Sequence, residues 1–163
     1  MKPQVVFVLP DTMLRIWEVV PDIEVMINCI RWRWPRPNAK RIWIDSGGYQ
    51  VMVKNMNLDV RYVVERYRDL EGDIFLSLDK PPQTLCSDSK ELVYHNIRNF
   101  EIMFEKLEDK TIVPVIHCYK HELLIYALDR YKSYGVDIVA YGGAVPPSMA
   151  KMGTVSYTHL RAH

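Results

Sequence analysis

Ile42-Trp43-Ile44-Asp45-Ser46-Gly47-Gly48-Tyr49-Gln50 joins an apolar run to a carboxylate and a glycine pair. The run 42–44 has no polar alternation, which is how a strand reads when both of its faces are buried, as in a parallel sheet covered by helices. Asp45 leaves it on a short side chain, and Gly47 and Gly48, lacking Cβ, let a flat ligand approach the backbone. The same grammar recurs: run 74–78 ends on Asp79, run 112–116 on His117, and run 138–141 on Gly142-Gly143. Runs 5–9 and 25–30 precede them. In a (β/α)8 barrel all strand carboxyl ends converge on one rim, where the chemistry sits. Polar or glycine residues at successive strand ends are that pattern, and no Gly-rich phosphate fingerprint follows the first strand to favour a dinucleotide-binding sheet. The expected fold is therefore α/β, a partial (β/α)8 TIM barrel. A complete barrel takes roughly 250 residues; these 163 residues hold the first five or six strands, in parallel order.

Between the runs, Val60, Val63, Val64 and Tyr67 recur at helical spacing, as do Val93, Ile97, Phe100, Phe104 and Leu107, then Leu124, Ala127, Leu128 and Tyr131. These stripes are expected to pack the core. Asn57 is placed to cap the first helix, and Asp88 with Glu91 resembles a capping box for the second. Gly72 and Gly135 each stand where a helix closes before the next strand, a position that favours the left-handed conformation. Short returns between repeated strand–helix units imply right-handed crossovers. Pro114 interrupts its strand, against the rule that central strands avoid proline.

A 48% hydrophobic, 25% charged chain has enough apolar residues for one globular domain. A formal net charge of +1 excludes a general polyanion-binding surface. No apolar run is long enough to span a bilayer, and the first residues lack a signal-peptide plan, so a cytoplasmic location is expected. Cys29, Cys86 and Cys118 are too irregularly spaced for a disulfide framework or a thiolate zinc site. Residues 154–163 continue no hydrophobic period and resemble the translated read-through of a sequencing adapter. They are set apart from the domain, 1–153, and His159 and His163 are not taken as metal ligands.

The segment Asp45-Ser46-Gly47-Gly48-Tyr49-Gln50 closely resembles the Asp-Ser-Gly-Gly-(Phe/Tyr)-Gln motif of the tRNA-guanine transglycosylases. These are TIM-barrel enzymes that exchange a guanine in nucleic acid for a 7-deazaguanine, as in queuosine and archaeosine formation. Leu78-Asp79-Lys80-Pro81-Pro82 resembles the family's second strand-end aspartate, which hydrogen-bonds the edge of the base. His117 stands where the family usually has a base-binding glutamine, and Ala140-Tyr141-Gly142-Gly143-Ala144-Val145 resembles the glycine pair whose backbone lines the base pocket. The resemblance covers about residues 40–150. It implies that Asp45 is the catalytic, proton-handling aspartate. Ser46, Gly47, Gly48, Tyr49, Asp79, His117, Gly142 and Gly143 are then substrate-binding residues. The covalent nucleophile and the zinc ligands of the family lie further along than Gly143, so this stretch alone is expected to be inactive, and no metal ligand is assigned in it.

Pro81 replaces a cysteine of the bacterial enzymes, and His117 replaces the glutamine. Both departures lean towards the divergent branch of archaeal, viral and DNA-modifying relatives, leaving tRNA and DNA open as acceptors. The expected partners are one of these nucleic acids, the free 7-deazaguanine and, at full length, further copies of the chain. Membranes are not among them. A second reading is a non-catalytic partner subunit that binds base or nucleic acid. A third is an unrelated barrel lyase, for which Lys80 would have to form a Schiff base, although its neighbours do not suit that role. The basic, aromatic stretch Arg31-Trp32-Arg33-Trp34-Pro35-Arg36-Pro37 is either a base-stacking surface or a loop packing its tryptophans on the barrel.

Overall fold

Alternation along each strand decides which side chains go where. In the computed structural model, which describes residues 6–8, 15–20, 22–48, 58–82, 88–142 and 158–161, the strands are β1 (Val6–Val8), β2 (Glu24–Asn28), β3 (Arg41–Asp45), β4 (Ile74–Leu76) and β5 (Ile112–Val113). They lie side by side in chain order, and every neighbouring pair is parallel. β6 (Val115–Ile116) continues β5 past Pro114 and pairs in parallel with β7 (Ile138–Tyr141). Pro114 cannot donate, but its carbonyl still accepts from Ala140 N at 2.9 Å, so the proline splits the strand without breaking the succession.

Helices α1 (Val60–Asp69), α2 (Lys90–Lys106) and α3 (His121–Lys132) follow β3, β4 and β6. They cover one face of the sheet, burying Val25, Ile27, Ile42, Ile44, Phe75 and Ile116 against Val63, Tyr67, Val93, Ile97, Phe100 and Tyr131. The alternate residues Met26, Trp43, Leu76, Val113, Val115 and Ala140 form a second buried cluster on the opposite face. Both faces are therefore apolar, as the unbroken runs imply. Tyr67 adds a polar stitch: its buried hydroxyl donates to Leu76 O at 2.6 Å, with Ile44 O 3.3 Å away. No helix among the described residues is long and apolar enough to cross a membrane.

Several local expectations change. Asp59, not Asn57, caps α1 by accepting from Arg61 N, and Asn57 lies outside the described residues. Ser89 caps α2 by accepting from Leu92 N at 3.2 Å, while Asp88 accepts from Lys120 Nζ instead. Phe104 is 37% exposed rather than core. Gly135 has the expected positive φ of 75°. Gly72 does not, and is required for space: a Cβ there would come 2.5 Å from Ile44 Cγ1. Thr158–Arg161, set apart by the sequence reading, forms β8 antiparallel to β7. An edge strand offers unpaired backbone groups to any extended segment, and such pairing needs no hydrophobic period.

Candidate functional site

Register brings the first two groups together. Asn28 and Asp45 are partners at the ends of β2 and β3. Asn28 Nδ2 donates to Asp45 Oδ2 at 2.9 Å, Gly47 N donates to the same oxygen at 3.2 Å, and Asn28 Oδ1 accepts from Ile30 N. Asn28 is thus a rim residue that sequence reasoning missed, because the apolar run 25–30 continues past it and hides the strand end at Asn28. The Gly47 turn that supplies the second donor needs φ +84°, which glycine adopts without penalty. Beside it, Cys29 Sγ donates to Ser46 O. Burial, followed by the nearby charge of Asp45, pushes the Cys29 thiol far up, so it stays protonated.

Asp79 and His117 form the centre of the rim. They are 8% and 2% exposed, and His117 Nε2 lies 2.8 Å from Asp79 Oδ2. An ionised carboxylate only accepts, so the imidazole proton sits on Nε2. Nδ1 is buried with no partner, and a lone pair there is cheaper to leave unmet than an N–H. Ser46, fully buried, places Oγ 3.4 Å from Asp79 Oδ1. This is not a nucleophilic triad, because the hydroxyl faces the carboxylate and not the imidazole. Cys118, next in sequence, is disulfide-bonded, although the irregular cysteine spacing suggested no disulfide framework.

Two glycines clamp the pair. A Cβ on Gly48 would collide with Asp79 O and lie 2.8 Å from Oδ1, and one on Gly142 would lie 2.6 Å from His117 Cε1. Both positions therefore admit Asp79 and His117 themselves, a role distinct from the close approach of a ligand. Gly48→Ala is expected to cost about 1–3 kcal/mol, since the clash is with backbone. Denaturant midpoints measure it, and an unchanged midpoint would show that the segment yields. Of the expected site residues, Ser46, Gly48, Asp79, His117 and Gly142 form one chain of contacts, and Asp45 with Gly47 joins it through the backbone of residues 45–48. Tyr49 and Gly143 lie outside the described residues.

The basic stretch leaves the rim at Asn28, which accepts from Arg31 N and Trp32 N. Trp32 is buried, Arg33 donates to Trp32 O, and Arg36 pairs with Asp73 at 2.9 Å. A cavity of about 280 Å³ lined by Trp32, Trp34, Arg36, Asp69 and Glu71 opens beside it. Its lining joins Ile27, near the carboxyl end of β2, to Asp69 and Glu71, which precede β4. Its acidic residues oppose phosphate, and the internal bonds of Arg33 and Arg36 fit a wall segment. Lys80 N and O are both bonded to Asn96. Among the described residues no three His, Cys, Asp or Glu come together as a metal site.

No family model matches the chain. The chain is similar to the uncharacterized protein 306 of Sulfolobus islandicus rod-shaped virus 1, with 36% identity over 111 residues, 68% of this chain. That stretch is 34% of the viral protein, so the chain spans about a third of the length of this curated relative.

Proposed function

We propose that the chain forms the amino-terminal part of a (β/α)8 barrel that exchanges guanine for a 7-deazaguanine base in tRNA or DNA. Among the described residues β1 to β7 are parallel and follow chain order, which supports a barrel over a doubly wound sheet, in which strand order reverses at a switch point. The observation that carries the functional reading is that four separate motif stretches meet at the Asp79–His117 pair.

Asp79 has lone pairs beyond those facing His117 and Ser46, and these accept the N–H edge of a purine-like base. His117, bonded to Asp79, holds that carboxylate in one orientation. Asp45, held by Asn28 and Gly47, moves the proton beside the ribose. The covalent nucleophile and the zinc site of the resembled family belong to later residues, and no step here runs through the metal.

Labelled 7-deazaguanine offered to the completed barrel with tRNA and, separately, with DNA tests the proposal. Uptake into one of the two is the expected result. Binding of free base without uptake into either would favour the non-catalytic partner subunit, and neither binding nor uptake would refute both.

A further inference from the structure

We infer that Asn96, on α2, is the positioning residue that holds Asp79 and His117 together; its consequence for base binding rests on the function proposed above. The β4–β5 ladder gives out just before Asp79. Ser77 N still donates to Val113 O at 2.8 Å, but Val115 N turns to Ser77 Oγ, where a regular ladder would offer the Ser77 carbonyl. From there the backbone bonds pass to one face of α2. Leu78 N meets Met103 Sδ at 3.2 Å, and Asn99 Nδ2 donates to Leu78 O at 3.1 Å. Asn96 then takes both groups of Lys80: its Oδ1 accepts from Lys80 N at 2.8 Å and its Nδ2 donates to Lys80 O at 3.1 Å. Residues 96, 99 and 103 are spaced three and four apart, so they share a face.

Asn96 does one thing that Asn99 does not. Its Nδ2 also donates to Tyr119 OH at 2.9 Å. Burial pushes the Tyr119 phenol up to about 12, so it remains a neutral acceptor. One side chain, 1% exposed, is thereby tied to the residue after Asp79 and to the residue two beyond His117. All the hydrogen-bonding capacity of a primary amide except one lone pair is used. Where the sheet no longer fixes the distance between the two strand ends, Asn96 does.

The test uses the protein with 15N-labelled histidine, read by long-range proton–nitrogen correlation, which distinguishes the imidazole tautomers. The native protein should show His117 protonated on Nε2 alone. Asn96→Ala, and Asn96→Asp, which loses both donors, should mix the tautomers. Asn99→Ala, which removes a comparably buried amide from the same face, should not. If Asn96→Ala fails to fold, Asn96→Asp and Tyr119→Phe decide, the latter deleting only the hydroxyl partner. Free 7-deazaguanine should bind about ten- to a hundredfold more weakly to the Asn96 variants. A single native tautomer in these variants, or equal mixing in Asn99→Ala, overturns the inference. Tautomer mixing confined to the Asn96 variants, with no base bound even by the native protein, upholds the positioning role and sinks the proposed function instead.

Discussion

If the proposed function holds, Asp45→Asn in the full-length protein is expected to slow base exchange by about a hundredfold or more while leaving free-base affinity nearly unchanged. Two donors on Asp45, Asn28 Nδ2 and Gly47 N, converge on the single oxygen Oδ2. An asparagine can present its carbonyl oxygen to both, so the rim keeps its shape. What the amide cannot do is take up a proton. Exchange rates and equilibrium binding of free 7-deazaguanine, measured on the same preparations, separate the two effects. An unaltered rate would remove Asp45 from proton transfer, and a collapse of base affinity would assign it to recognition.

Asp79→Ala is expected to act on both binding and folding. Free-base affinity should fall by about 1–3 kcal/mol, because donors on the buried edge of the base lose their acceptor. Folding stability should fall by a similar 1–3 kcal/mol, because His117, 2% exposed with Nδ1 already unpartnered, then loses the acceptor for Nε2–H as well. Asp79→Asn divides the two: its carbonyl can still accept from His117, so stability should largely return, while base affinity should not. Denaturant unfolding and base titration of both variants measure this. Full base affinity in Asp79→Ala would place the base elsewhere.

The sequence carries the sheet plainly because each run is apolar on both faces, and β1 to β7 fall within or beside the runs read from it. The rim was legible for the same reason: Asp45, Asp79 and His117 stand where an apolar run stops. The support beneath the rim was not. Asn96 and Asn99 sit within an otherwise apolar helical stripe and are buried at 1% and 5%, yet an asparagine in a helix reads as solvent-facing until the peptide groups it satisfies are known. Those groups exist because Pro114 and the Ser77 hydroxyl reshape the ladder, a matter of tertiary register that no periodicity reports. Gly48, Gly72 and Gly142 were read through backbone freedom or ligand access, whereas each is fixed by a neighbouring atom that a Cβ would strike. Phe104 follows the helical period but lies beyond the width of the buried face, at 37% exposure.

The most direct measurement is the uptake of labelled 7-deazaguanine by the full-length protein into tRNA and into DNA, with Asp79→Ala run beside the native protein. Uptake into one nucleic acid by the native protein, lost in Asp79→Ala, is the expected result. No uptake into either, together with no binding of the free base that depends on Asp79, would contradict the assignment of this rim to base exchange.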